Sequence, residues 1–315
     1  MYDFPKIEHI RTASRRIEPF AHRTPVLTCS TVDHMVGGKL YFKCENFQKV
    51  GAFKFRGACN AVMSLSNAEA VKGVATHSSG NHAQALALAA RIRDIEAHIV
   101  MPENSPEVKK AAVVGYGADI TFCEPTLEAR ERILAEVLSR TGATFVHPYN
   151  DYRVISGQAT ATLELLEDTP NLDIVITPVG GGGLLSGTAL AISYLSPGTK
   201  VIAGEPRGAD DAFRSLQAGY IIPSVDPQTI ADALLPSLGD KTFAIIQKHV
   251  HEIITVSEDA IKFAMRTICE RMKILVEPSS AVALAALFES GVPKNTKRIG
   301  IILTGGNVDL ERLPW

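Results

Sequence analysis

The chain is predicted to be an α/β protein: two domains built on open parallel sheets with helices on both faces. Two observations predict this. A short apolar strand, a polar or glycine-rich turn and a helix follow one another repeatedly along the 315 residues, the alternation expected of βαβ units. The turns that carry useful chemistry come directly after strands, where ligands of such sheets bind. Residues 73–150 read as an inserted, smaller domain, which leaves 1–72 and 151–315 as the larger one.

Each element has a local reason. Ile7 to Ile17 has helical periodicity. Arg23-Thr24-Pro25-Val26-Leu27 is extended, since a residue before proline avoids the helical region. Leu40–Cys44 is a strand, and a helix follows Gly57. In the inserted unit, strands at 74–76, 97–101, 119–122 and 144–146 alternate with helices at 83–92, 107–114 and 127–141. A helix from Ile155 to about Glu167 leads to the strand Ile174–Thr177, the loop Gly180–Gly183, the helix Leu184–Leu195 and a strand ending at Glu205. Gly208 to Asp240 reads as less regular. The rhythm resumes with strand 253–256, helices 258–272 and 280–288, and strand 299–303.

Composition narrows the function. A net charge of −2 and 21% charged residues argue against a nucleic-acid or polybasic membrane partner. No apolar run is long enough to span a bilayer, and Met1–Lys6 is unlike a signal peptide. Cys29, Cys44, Cys59, Cys123 and Cys269 are scattered, with no CxxC pair. A reducing, cytoplasmic location is therefore expected.

Gly51–Ala58 places Lys54 between Phe53 and Phe55, after a strand and at the start of a helix. A positive helix end and poor solvation both disfavour an ammonium. Such a lysine can be neutral enough to form a Schiff base with an aldehyde; the plain alternative is a surface lysine. Gly180–Gly183 lets backbone N–H groups close on an anion at a helix start. The same loop, with Gly187 and Glu205, is spaced almost like a dinucleotide fingerprint. Taken alone it leaves phosphate and nicotinamide dinucleotide open. Ser78, Ser79, Gly80, Asn81 and His82 gather hydroxyls, a carboxamide and helix N-terminal amides suited to an oxyanion. His82 by itself reads as structural. Thr304-Gly305-Gly306-Asn307 ends the last strand with a neutral hydroxyl.

Together these stretches resemble the fold-type II, tryptophan-synthase-β-like family of enzymes that use pyridoxal 5′-phosphate. Within it the chain looks most like serine racemases and short serine/threonine dehydratases, the plant-type racemases above all. The resemblance rests on Gly51–Ala58, Ser78–Gln84, His147–Asp151, Gly180–Gly187, Glu205–Asp211, Glu277–Ser279 and Thr304–Asn307, in that order along nearly the whole chain. It displaces the dinucleotide reading. The large regulatory C-terminal domain of biosynthetic threonine dehydratases is not seen after Thr304.

The resemblance implies a cofactor between two domains. Lys54 would carry it and take the substrate α-proton on one face, while Ser79 would serve the other face, as inversion at Cα requires. Phe53 would pack on the ring, Asn81 would bond its 3-oxygen, and Gly180, Gly181, Gly182 and Gly183 would hold the phosphate. Thr304 would bond the ring nitrogen without holding it protonated, a weaker electron sink that suits elimination or prompt reprotonation. Ser78–His82 would cup the substrate carboxylate. Glu205, Asp211 and the carbonyl of Ala209 match a divalent-cation site, with Mg²⁺ or Ca²⁺ as guest; solvated loop acids are the alternative. A homodimer acting on a small amino acid is expected. Two positions depart from the family pattern: Ala233 stands where glycine is frequent, and Ala52 where serine is. The implied activity is dehydration of L-serine and L-threonine to the 2-oxo acid and ammonia, with racemisation of serine. A 3-hydroxyaspartate dehydratase, a non-catalytic carrier of the cofactor and a nicotinamide oxidoreductase are the other readings.

Overall fold

The first helix, α1 (Ile7–Ile17), buries Ile10, Ala13 and Ile17 at helical spacing. The protein is described here by a computed structural model of residues 3–105, 107–293 and 296–315. Met1 and Tyr2, the start of the N-terminal stretch read above, lie outside the described residues. After α1 come β1 (Val26–Leu27), α2 (Ser30–Val36), β2 (Lys39–Cys44), α3 (Lys54–Met63) and α4 (Asn67–Ala70). The next run is β3 (Val74–His77), α5 (Asn81–Arg93), β4 (Ala97–Pro102), α6 (Glu107–Gly115), β5 (Asp119–Cys123), α7 (Leu127–Thr141) and β6 (Thr144–Phe145). The chain continues through α8 (Tyr152–Asp168), β7 (Ile174–Pro178), α9 (Gly183–Leu195), β8 (Lys200–Pro206) and α10 (Asp211–Ala218). It ends with α11 (Asp240–His249), β9 (Glu252–Val256), α12 (Glu258–Thr267), α13 (Pro278–Ser290) and β10 (Arg298–Leu303).

The strands form two sheets. One has the order β1-β2-β10-β7-β8-β9, the other β5-β4-β3-β6. The pairs are parallel except β1 with β2, which is antiparallel at the sheet edge. Side-chain alternation assigns the faces. Leu40, Phe42 and Cys44 pack with Val32 of α2 and the apolar sides of α12 and α13. Tyr41 turns the other way, to Ile10, Ile155 and the apolar sides of α8, α9 and α11. In the smaller sheet Ile99 and Met101 join α3 and α5, while Val100 joins Leu134 and Val137 of α7. Period-two strands thus carry helices on both faces of each sheet.

Helix α8 is the seam of the larger unit. A Cβ on Gly157 would lie 2.6 Å from the Arg56 carbonyl oxygen and from the Gly57 Cα, and one on Gly187 would lie 2.7 Å from the Ala159 nitrogen. Glycine therefore lets α3 and α9 approach α8 backbone to backbone. Beside the first crossing Arg56 is fully buried. Its guanidinium meets Glu45 at 2.7 and 2.9 Å and Glu164 at 2.7 and 2.8 Å. Buried Lys43 completes the group, 2.6 Å from Glu164. Two cations balance two carboxylates, and losing one partner from such a group costs about 3–5 kcal/mol.

Several boundaries differ from expectation. The segment read as irregular contains α10, whose start is held by Glu205, and α11 begins at its end. Helix α8 begins at Tyr152, three residues before Ile155, because Asp151 caps it through the Arg153 N–H. Helix α12 stops at Thr267 and passes into a π-helical turn, Ile268–Met272. Helices α2 and α4 were not anticipated; each is short, which weakens periodicity as a signal.

Candidate active site

Lys54 opens α3. The strand–loop transition before it is tightly wound: Val50 has φ 57° and Gly51 φ 68°. A β-branched residue in the left-handed region is strained, and the segment after β10 holds it there. Gly306 N–H donates to the Gly51 carbonyl (2.9 Å), Asn307 Nδ2 to the Val50 carbonyl (2.7 Å), and Phe53 N–H to the Thr304 carbonyl (3.0 Å). Two distant stretches, 50–53 and 304–307, are thereby zipped together. Ala52 lies fully buried in that zip, bridged to Gly305.

The Lys54 amine donates to the Pro148 carbonyl at 2.9 Å and sits 5.2 Å from the centre of the Phe53 ring. Burial lowers its pKa to about 8, against an opposing pull from the Glu277 carboxylate. It is therefore partly neutral near physiological pH. Glu277 precedes α13 and is itself buried; desolvation raises its pKa to about 7. Both its oxygens lie 3.1 Å from Asn81 Nδ2, the first residue of α5. Three imidazoles nearby are neutral. Desolvation lowers His77, takes His147 to about 4 and holds His82 well below its ordinary value, with Lys54 adding to the last two. His82 Nε2 is 3.1 Å from the Val146 carbonyl.

The glycine loop lies between β7 and α9. The first bond of α9 runs from Ser186 N–H to the Gly182 carbonyl (2.8 Å), so the amides of its first turn are available to a guest. Gly182 has φ +86° and caps the helix. Tyr149 covers the loop: a Cβ on Gly181 would collide with its ring, and one on Gly183 would lie 2.9 Å from its Cβ. A Cβ on Gly180 would lie 2.8 Å from Leu234 Cα and 3.2 Å from the Ala233 carbonyl oxygen. Ala233 is exposed, and its N–H donates to Ser279 Oγ at 3.1 Å. Thr304 is buried; its N–H donates to Ser280 Oγ (2.8 Å), and its hydroxyl has no hydrogen-bond partner among the described residues. Ser79 Oγ has none either, while Ser78 Oγ accepts from Gly80 N–H at 3.4 Å.

These residues fit pyridoxal phosphate. A desolvated amine, an adjoining aromatic ring, a glycine cradle at a helix start, an amide donor and an unused hydroxyl are its requirements. Glu205 and Asp211 lie beyond Tyr149, whose pKa burial raises to about 12 with a further push from Asp211. Glu205 accepts from the N–H groups of Ala212 (2.8 Å) and Phe213 (2.7 Å). Asp211 Oδ2 is buried without a hydrogen bond. Ala209 is buried between them in sequence. Desolvation raises Glu205 to about 8 and Asp211 to about 6, as for paired acids lacking a counter-charge. A cation is a physically sound guest there.

Sequence reasoning passed over Pro148, Tyr149, Glu277 and Asn307 as individual residues, although each stands in a quoted stretch. It also missed Arg130 of α7. Its Nε is buried without a hydrogen bond, and its charge lowers the pKa of His77. Nothing in local spacing marks such a residue.

A family model described as pyridoxal-phosphate dependent enzyme matches residues 17–305. A β-hydroxyaspartate dehydratase of Paracoccus denitrificans is 51% identical over 311 residues, which cover 99% of each chain. The solved serine racemase of Dictyostelium discoideum superposes with a TM-score of 0.93 at 51% identity, covering 97% of this chain and 99% of that one. The solved threonine deaminase of T.th. superposes with a TM-score of 0.92 at 42% identity, covering 98% and 100%. The chain belongs to the pyridoxal-phosphate-dependent enzyme family.

Proposed function

We propose that this pyridoxal-phosphate-dependent enzyme dehydrates β-hydroxy amino acids, L-serine and L-threonine among them, to 2-oxo acids and ammonia, and also racemises serine. The observation that carries the reading is the Lys54 amine, desolvated to a pKa of about 8 where the zipped 50–53 segment meets Pro148. The relatives named above support it, since their names cover dehydration, deamination and racemisation of such substrates. When bound, the cofactor draws electrons from the substrate α-carbon and makes its proton acidic. Lys54 would hold the cofactor and take that proton from one face. The unpaired Ser79 hydroxyl would serve the opposite face. Amides and hydroxyls of Ser78–His82 would hold the carboxylate. Gly180–Gly183 would bind the phosphate, Phe53 would flank the ring, and Thr304 would meet the ring nitrogen as a neutral partner. The neutral histidines would leave Lys54 as the base.

A second reading, 3-hydroxyaspartate as preferred substrate, is favoured by one observation. Arg130 is a half-buried cation with no ion-pair partner among the described residues, and it lies near His77, which ends β3 just before Ser78. A second carboxylate would suit it.

A divalent cation at Glu205, Ala209 and Asp211 belongs to the same proposal. So do two domains with the boundaries 1–72 plus 151–315 and 73–150. A cytoplasmic homodimer completes it: the five cysteines are unpaired, and exposed Phe263 and Leu275 offer apolar surface to a second copy. No helix among the described residues is long and apolar enough to cross a membrane.

The test begins with the visible absorption of the purified protein, which a nicotinamide enzyme would lack. Borohydride reduction and peptide mapping should then place the pyridoxyl group on Lys54. A panel of L-serine, L-threonine and 3-hydroxyaspartate, scored for 2-oxo acid and D-amino acid, measures the activities. Arg130→Ala should lower kcat/KM for 3-hydroxyaspartate about tenfold or more while serine turnover holds. A colourless protein, label on another lysine, or no 2-oxo acid from any substrate would overturn the reading.

A further inference from the structure

Asn81 is gripped on both sides of its carboxamide. Its nitrogen lies 3.1 Å from each oxygen of Glu277, and its oxygen accepts from Asn307 Nδ2 at 2.9 Å. Asn307 closes the triangle. The same Nδ2 reaches the Val50 carbonyl at 2.7 Å, and its backbone N–H bonds Glu277. Glu277 has little room to move. It is 3% exposed, its own N–H donates to the Gly305 carbonyl at 2.9 Å, and a Cβ on Gly305 would lie 2.9 Å from its Oε1. It forms no salt bridge among the described residues, and its hydrogen bonds go to the two asparagines.

A carboxamide is nearly symmetric in shape, and packing alone holds its two orientations about equally well. Chemistry separates them in this triangle. Above pH 7 Glu277 is ionised and only accepts, so turning Asn81 over would set its oxygen against two carboxylate oxygens and its nitrogen against the Asn307 nitrogen. Equal distances to the two Glu277 oxygens suit one shared N–H. The second N–H of Asn81 is then left for a guest.

We propose that Glu277 and Asn307 are positioning residues that lock the Asn81 carboxamide with its nitrogen on the Glu277 side, so that its second N–H is the donor to the phenolic oxygen of the cofactor ring. This rests on the pyridoxal-phosphate reading above. An unlocked amide would present its oxygen to that phenolic oxygen part of the time, acceptor against acceptor. The lock therefore acts on cofactor affinity, and only through the ring oxygen.

That restriction supplies the test. Pyridoxal 5′-phosphate and 3-deoxypyridoxal 5′-phosphate are titrated into the cofactor-stripped protein, with intrinsic fluorescence as readout and circular dichroism as the check on folding. Asn307→Ala and the near-isosteric Glu277→Gln should each weaken pyridoxal phosphate about five- to tenfold, the worth of one hydrogen bond. Both should leave the 3-deoxy ligand within about twofold. In an Asn81→Ala background neither variant should add a further loss that depends on the ring oxygen. Equal losses for the two ligands, or none for pyridoxal phosphate, would overturn the lock. Should Glu277→Gln fail to fold, Asn307→Ala decides, since its side chain is exposed. If the unmodified chain binds neither ligand, the functional reading falls and the lock with it; if it binds both and the variants do not discriminate, only the lock falls.

Discussion

At the scale of single residues, Lys54 carries a cost in the cofactor-free protein. Its pKa falls from 10.5 to about 8, chiefly through desolvation. The folded state therefore binds its proton less tightly than the unfolded chain does. The penalty is full below pH 8 and fades as pH rises toward 10.5. Lys54→Met should raise the stability of the cofactor-free protein at pH 7 by about 1–2 kcal/mol, less than the full shift implies because the residue is only half-buried. Chemical denaturation at pH 7 and pH 10 checks this, and the gain should shrink at the higher pH. The role proposed for Ser79 would separate two activities. Inversion needs a proton delivered to the second face, whereas elimination needs one base and a protonated leaving group. Ser79→Ala should abolish D-serine formation, by about two to four orders of magnitude, while much of the L-serine dehydration survives. Equal loss of both would reduce Ser79 to part of the carboxylate pocket. Lys54 was legible as a candidate from residue type and local context, and Ser79 through the family resemblance. Glu277 was not, since its partners Asn81 and Asn307 stand far from it along the chain, the first by 196 positions, and meet it only in the fold.

At the scale of elements, the site depends on how closely α3 is laid on α8. Lys54 opens α3, and three residues later Gly57 abuts Gly157. A methyl group on Gly157 has the Arg56 carbonyl and the Gly57 Cα at 2.6 Å, both backbone, so the helices must part. Gly157→Ala should destabilise the protein by about 1–3 kcal/mol. It should also lower kcat for every substrate together, because it displaces the amine and leaves substrate contacts alone. Denaturant midpoints and a substrate panel measure both effects. Unequal loss across substrates would mean that α8 reaches the pocket by another route. The parallel sheets, their helices and most element cores were readable from alternation of strand and helix. Missed features have local causes. Helix α10 starts at Asp211 because Glu205, on the preceding strand, accepts its first free N–H groups, a cap that no window of sequence reveals. The π-helical turn at Ile268–Met272 keeps helical periodicity and so read as more of α12.

At the scale of the whole molecule, the pair of buried acids at Glu205 and Asp211 joins β8 to α10 and lies behind Tyr149, which covers the glycine loop. Glu205 spends one lone pair of each oxygen on helix amides and keeps the others, and Asp211 Oδ2 has no partner. A hard divalent cation bound to these oxygens, the Ala209 carbonyl and water would offset the desolvation of both carboxylates. The unfolded chain cannot assemble that set of oxygens. Binding therefore stabilises the entire fold by mass action, about 2.7 kcal/mol at a concentration one hundred times Kd. Mg²⁺ or Ca²⁺ added to chelator-treated protein should raise Tm by several degrees. Asp211→Asn should erase that response, and it should also stabilise the cation-free protein by removing an unpaired buried charge. Glu205→Gln should lose the response too, but with no gain, because an amide nitrogen would face the Ala212 or Phe213 N–H. Thermal melts with chelator and with each ion distinguish these outcomes. A Tm unmoved by either ion, with no metal found by elemental analysis, would leave Glu205 as the cap of α10 and Asp211 as a strained neighbour.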